Sequence, residues 1–190
     1  VTNRKHLIEE TLTETLERIK ASGLWMLRLS NNGISSATEA CGFQWAPVGK
    51  WTKAKDWDPT PNCGGGLHGQ GPEGYGYAHK GTRYELCETG PERVVVDRNK
   101  VKVRMARIIA VDIDALNALA FLCPDGHWPG ALNLSAWEHP LPEKLTSVGG
   151  NLYLRGYSHP LPEKLTSVGG DLYLRGYSHP LPEKLTSVGG

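Results

Sequence analysis

Nowhere in its 190 residues does the chain carry an apolar run of about 18, the length a membrane-spanning helix requires. Residues 1–20 are charged and amphipathic and lack the apolar stretch of a secretory leader. Cysteine is scarce: Cys41, Cys63, Cys87 and Cys123 are too few to staple a chain of this length. Without an export signal, reduced thiols and a cytoplasmic location are expected. A surplus of either charge is also missing, with 21 Lys+Arg against 20 Asp+Glu and a net charge of +1. That balance argues against a polycationic nucleic-acid or membrane-surface protein and leaves local stripes as the only electrostatic recognition. Phenylalanine occurs twice, whereas 23 glycines and 13 prolines make up about a fifth of the chain. A helical bundle is excluded by such a composition, which favours turns and short strands.

The glycine and proline are concentrated in two places, and the first is periodic. A 20-residue unit runs over 130–149, 150–169 and 170–189. The last two copies differ only at Asn151 against Asp171; the first differs from the second at six positions, all in its first half. Within a unit, Leu152 and Leu154 alternate as an inward-facing strand pair, and Leu161, Leu165 and Val168 add apolar anchors. One unit has no core of its own. Stacked about 4.8 Å apart in a parallel sheet, successive units bury their leucines in a column. Pro160 and Pro162 stiffen the return, and Gly169-Gly170 is expected to permit the tight turn into the next strand.

Between the inward leucines stand Asn133, Tyr153 and Tyr173, then Ser135, Arg155 and Arg175. Tyrosine and arginine dominate protein-binding hot spots, so Tyr153, Arg155, Tyr173 and Arg175 are the candidate partner-binding residues, and arginine over arginine suits an anionic partner. The plainer reading is strand propensity and solvation of an exposed face. No divergent polar cap follows the third unit up to residue 190. Stacked repeats need covered ends, so either more chain or another subunit is expected there, and self-assembly follows from the second option.

The unit resembles the 20-residue, LP-containing leucine-rich repeat of bacterial effectors and other bacterial and phage proteins. The resemblance spans the three units and is carried by Leu141-Pro142, Leu161-Pro162, Leu181-Pro182 and the Leu-x-Leu strands. It implies a short leucine-rich-like parallel β-solenoid. One position departs: the polar ladder residue after the strand is replaced by Trp137, Tyr157 and Tyr177, so an aromatic stack is expected in its place.

Upstream, the expected architecture is an amphipathic helix within 1–23 and an α+β domain over 24–129, preceding the repeats of 130–190. Leu7, Ile8, Leu12, Leu16 and Ile19 keep helical spacing, with Glu9 and Glu10 early, Arg18 and Lys20 late, and Gly23 as a stop. Residues 24–29 read as a buried strand, broken at Asn31-Asn32-Gly33. The second glycine concentration lies within 41–81, where Trp45, Trp51 and Trp57 also recur at six-residue intervals. Such a stretch implies backbone at positive φ or close approach of a ligand. Residues 94–96 and 101–111 read as strands, and Asp112 or Asp114 should cap a short apolar helix ended by Pro124. The GFQW of 42–45, the block at 56–69 and the KVK of 100–102 resemble an uncharacterised bacterial and phage domain over roughly 25–122. That resemblance implies no established activity.

Chemistry has three candidates. Cys63-x4-His68 and Cys123-x3-His127 have spacing acceptable for a Cys2His2 zinc centre if the fold unites them, but buried structural cysteines are the plainer reading, so no cofactor is expected and zinc is the alternative. Cys63 and His68 are alternatively a nucleophile and base, with glycine N–H groups as an oxyanion site and Glu85 as a further candidate residue, in an enzyme of transferase or hydrolase class. Arg28, His68 and Glu85 would be its residues if the substrate were a nicotinamide dinucleotide. The plainer reading buries Leu67 and has His68 bond to the glycine turn. The glycine loop lacks the Gly-Lys-Ser/Thr ending of a phosphate cradle. Lys100, Lys102 and Arg104, with Arg93, Arg98 and Arg107, would contact nucleic-acid phosphates, or else form a solvated edge strand guarded by its lysines. The sequence favours a non-enzymatic interaction or assembly module binding a protein partner or another copy through the Tyr/Arg face or the open end. The enzyme is the alternative.

Overall fold

The computed structural model describes residues 10–30, 43–72, 83–96, 100–123, 125–135 and 138–189. Helix α1 (Leu12–Ser22) starts where Thr11 and Glu14 form a reciprocal cap, the Thr11 hydroxyl accepting from Glu14 N–H and the Glu14 carboxylate accepting from Thr11 N–H. It ends at Gly23, whose φ of 67° is the left-handed conformation a glycine stop supplies. Leu7, Ile8 and Glu9 lie outside the described residues, as do Asn31-Asn32-Gly33 and Pro124.

Strands β1 (Trp25–Ser30), β2 (Trp51–Lys53), β4 (Arg83–Thr89) and β7 (Met105–Val111) form an antiparallel sheet of order β1-β4-β7-β2. Strand alternation, interrupted where the β4–β7 register shifts between Leu86 and Cys87, divides its side chains between two cores. Trp25, Leu27, Leu29, Tyr84, Leu86 and Ala110 join α1 and helix α2 (Asp112–Leu122) in one cluster. Met26, Cys87, Ala106 and Ile108 join Trp45 and a second sheet in the other. All six β1 residues are buried as a result.

The second sheet contains β3 (Leu67–Gly69), β5 (Arg93–Val96) and β6 (Lys100–Val103) in the order β3-β6-β5. The single strand expected over 101–111 is two, because the chain changes sheets at Arg104. There the backbone N–H donates to Glu92 O at 3.0 Å and the guanidinium pairs with the Glu92 carboxylate at 2.9 Å. Strand β6 is the central strand, and Lys102 on it is fully buried. A solvated edge strand is therefore not what this basic stretch forms. Neither Asp112 nor Asp114 caps α2 as expected: the N-cap position is Val111, without a side-chain cap bond, and Asp112 begins the helix at φ 50°.

The repeats contribute short parallel strands to two sheets. One is β8 (His127–Trp128), β10 (Ser147–Val148), β12 (Ser167–Val168) and β14 (Ser187–Val188); the other is β9 (Leu132–Asn133), β11 (Leu152–Tyr153) and β13 (Leu172–Tyr173). Pairings such as Val148↔Val168 and Leu152↔Leu172 make the 20-residue period the strand-to-strand register. The ladder begins upstream of the first unit, since Trp128 pairs with Val148 and sets the larger side chain at the inner end. Leu132, Leu145, Leu152, Leu165 and Val168 belong to the same core as Leu16, Ile19, Leu116 and Leu119. The Tyr84 hydroxyl on β4 donates to the carbonyl of Asn133 on β9, joining the antiparallel sheet to the first unit.

Glycine serves the repeats differently from the expected tight turn. Gly169 and Gly170 do not have positive φ. A Cβ on Gly169 would stand 2.4 Å from Gly149 O, and one on Gly170 would stand 2.1 Å from Asn151 Oδ1. These glycines let adjacent layers touch. Gly156 and Gly176, at φ 73° and 79°, carry the turn.

Candidate partner-binding surface

The in-register pairing of β11 with β13 sets Tyr153 directly beside Tyr173, with ring centroids 4.7 Å apart and planes 5° from parallel. Each hydroxyl is tied to its own unit: Tyr153 Oη accepts from Asn151 Nδ2 at 2.9 Å, and Tyr173 Oη donates to Asp171 Oδ2 at 2.8 Å. The Asp171 bond, first, and then burial hold the Tyr173 phenol protonated above its usual range. Two residues on, Arg155 and Arg175 are exposed, and neither belongs to an ion pair among the described residues. The arrangement is a rigid aromatic pair beside two cations, suited to an apolar side chain flanked by acidic groups.

Behind this face the aromatic stack expected at the departing position forms at Tyr157 and Tyr177, with rings 6.4 Å apart and 8° from parallel; Trp137 lies outside the described residues. Their hydroxyls accept from Leu141 N–H at 3.1 Å and Leu161 N–H at 3.0 Å. Each tyrosine thus pins the return segment of the unit before it, the task of a polar ladder. Burial pushes the Tyr157 hydroxyl up to about 12. His159 and His179 reinforce the layers through the carbonyls of Glu138 and Ser158.

At the outer end, residues equivalent to core residues come to the surface. Leu174, Leu181 and Val188 are 39%, 41% and 50% exposed, whereas Leu154, Leu161 and Val168 are 0%, 3% and 0%. The three residue types are the same; the difference is that the second unit has another layer upon it.

The candidate chemical residues are distributed among several elements. Cys63 is exposed, its sulfur 3.1 Å from Lys100 Nζ. His68 sits on β3 opposite Lys102 of β6. Gly64, Gly65 and Gly66 all adopt positive φ, and their loop is pinned by the buried Lys102 ammonium, which donates to Asn62 O at 2.8 Å and Gly64 O at 3.0 Å. A Cβ on Gly65 would lie 2.6 Å from Asp56 O, so these glycines answer an internal conformational demand. Cys123 ends α2, its N–H donating to Leu119 O and its thiol pushed up to about 11 by burial. His127 on β8 shares a 2.7 Å hydrogen bond between Nδ1 and Ser147 Oγ. Among the described residues no three His, Cys, Asp or Glu side chains converge as metal ligands.

Glu85 lies on β4, fully buried, and accepts from Ser30 Oγ at 2.7 Å and from Arg83 Nη2 at 2.6 Å. Arg28 Nη1 is 3.2 Å from its second oxygen, and the Arg28 guanidinium lies over Trp45 at 3.9 Å. Burial draws the Arg28 pKa down and Glu85 opposes it. Of the set Arg28, His68 and Glu85, the fold thus brings Arg28 and Glu85 together as a core ion pair, while His68 lies on β3 opposite Lys102. The remaining described arginines near β6 are internally engaged: Arg93 with Gly23 O at 2.6 Å, Arg107 with Glu88 at 2.6 Å, Arg104 with Glu92. Arg98 lies outside the described residues.

Compared with family models, with curated proteins and with solved structures, the chain shows no match in any of the three. No described helix is long and apolar enough to cross a membrane.

Proposed function

We propose that the protein is a non-enzymatic interaction or assembly module in which the repeats form a leucine-rich-like parallel β-solenoid and present Tyr153, Arg155, Tyr173 and Arg175 to a protein partner. The observation that carries this reading is the in-register Tyr153/Tyr173 stack, fixed by hydrogen bonds within its own units and flanked by two exposed arginines without ion pairs among the described residues. An aromatic pair ordered beforehand loses little side-chain entropy on binding, and the arginines favour an acidic ligand surface.

The test is cross-linking and co-purification from the native host with the wild type and two variants. Changing all four residues to alanine should remove the captured partner while far-UV circular dichroism stays native. Cys63→Ala with His68→Ala should leave capture intact. The reverse pattern would overturn the proposal and favour chemistry at the glycine loop.

A further inference from the structure

We infer that the edge strand β2 and the turn before it form a second binding surface, separate from the repeats, for single-stranded nucleic acid. Residues 46–55, APVGKWTKAK, hold three lysines and no acidic residue. The near-zero net charge of the chain excludes a domain-wide field and leaves room for a local stripe of this kind.

The sheet behind the stripe holds it in place. Lys50 N–H donates to Pro47 O at 3.0 Å and closes the turn, Gly49 N–H donates to Ile108 O at 2.8 Å, and Ala54 N–H donates to Arg104 O at 2.9 Å. Strand β2 ends the order β1-β4-β7-β2, and its alternation buries Thr52 while Trp51 and Lys53 face solvent. The Trp51 side chain is 41% exposed. The Arg107 guanidinium lies over its indole at 5.4 Å and is itself anchored to Glu88 and Glu10. One face of the ring is thus backed by the protein, and the opposite face is the open one.

Lys50, Lys53 and Lys55 are exposed, and none belongs to an ion pair among the described residues. The acids that follow them are engaged elsewhere: Asp56 Oδ1 accepts from Gly66 N–H at 3.2 Å, and Asp58 accepts from Thr60 and lies 3.8 Å from Lys102 Nζ. The stripe differs in this from the basic residues of β6, whose amines and guanidinium the fold occupies itself. An aromatic platform among uncompensated cations suits a single strand, because a base of any kind stacks on the ring while neighbouring phosphates meet the ammonium groups. A duplex hides its base faces and offers the stripe charge alone. An indole backed across one face lies along the surface instead of projecting from it, which suits stacking better than insertion among lipids.

A fluorescein-labelled oligothymidylate of about ten nucleotides should bind the full chain saturably in anisotropy titrations, in the micromolar range at about 50 mM salt. Trp51→Ala should weaken this binding about tenfold and Trp51→Phe much less, while affinity for a duplex of the same length stays unchanged in both. Lys50→Gln, Lys53→Gln and Lys55→Gln together should reduce the slope of log affinity against log salt by about 2. These lysines are exposed, so the triple variant carries the test should Trp51→Ala unfold. Changing Tyr153, Arg155, Tyr173 and Arg175 to alanine should leave oligonucleotide binding as it was. Absence of saturable binding, equal loss for single strand and duplex in Trp51→Ala, or an unaltered salt slope in the lysine variant would overturn the inference. So would adsorption to vesicles of phosphatidylserine and phosphatidylcholine that oligothymidylate does not compete, since the stripe would then be a lipid contact.

Discussion

Lys102 shows how one side chain decides what a glycine-rich loop is for. Its ammonium is fully buried between β6 and the loop, bonded to two carbonyls and 3.8 Å from Asp58 Oδ2. Such burial is tolerated only because charge and hydrogen-bond capacity are both answered. Lys102→Met keeps the aliphatic stem and removes the donor, leaving the Asn62 and Gly64 carbonyls without it. A destabilisation of about 2–4 kcal/mol is expected from the charge-assisted bonds lost, to be read as a lower urea midpoint at unchanged slope. The thiols make an independent check. Cys63 is exposed, whereas burial raises the Cys87 thiol far above its ordinary range and Cys123 to about 11. Because the thiolate is the reacting form, peptide mapping after brief alkylation at pH 8 should find Cys63 modified, Cys123 slowly modified, and Cys87 untouched until the chain unfolds. Rapid alkylation of Cys87 would contradict the buried β4.

The elements whose grammar is local are the ones the sequence announces: α1 with its glycine stop, the buried β1, and the 20-residue stack. What eludes it depends on tertiary partners. Alternation along 100–105 reads as a half-solvated strand, but a second layer of chain covers the lysine face, and the break at Arg104 requires Glu92 from another strand. Tyr153, Arg155, Tyr173 and Arg175 fall together because a period fixes register, whereas Cys63, His68, Cys123 and His127 have no period to relate them. The two kinds of glycine in the repeats separate by experiment. Gly169→Ala drives a methyl into the Gly149 carbonyl, while Gly156→Ala meets open space and only a left-handed backbone. The second should cost about 1–2 kcal/mol and the first clearly more, with the order read from thermal midpoints. For α1 the sensitivity is to acid. Hydrogen bonding to Arg18 holds Glu10 down to about 2, and the Thr11 cap holds Glu14 below its usual 4.5. Since both are depressed in the folded state, their contribution is complete above about 4.5 and is lost as pH falls toward 2. Glu10→Gln with Glu14→Gln should therefore flatten the fall of urea stability across that window; an unchanged slope would contradict the capped helix.

Repeats usually behave as separable units, each stabilised by its neighbours, but here, among the described residues, the first unit packs upstream on the α+β layers. Trp128 begins the parallel ladder, the Tyr84 hydroxyl bonds Asn133 O, and one apolar cluster runs from Leu16 through α2 to Val168. Stability of the stack must therefore pass through this junction. Trp128→Ala opens it from the inside, removing the largest side chain at the contact, and a core truncation of this size costs about 3–5 kcal/mol. If the chain is one cooperative unit, the loss should lower the unfolding midpoint equally whether followed by amide hydrogen exchange in β1 and β4 of the antiparallel layers or in β11 and β12 of the repeats. Separation of the two transitions in the wild type would mean that the repeats hold themselves together. Separation only in Trp128→Ala would show instead that this one indole couples the stack of repeat layers to the rest of the chain.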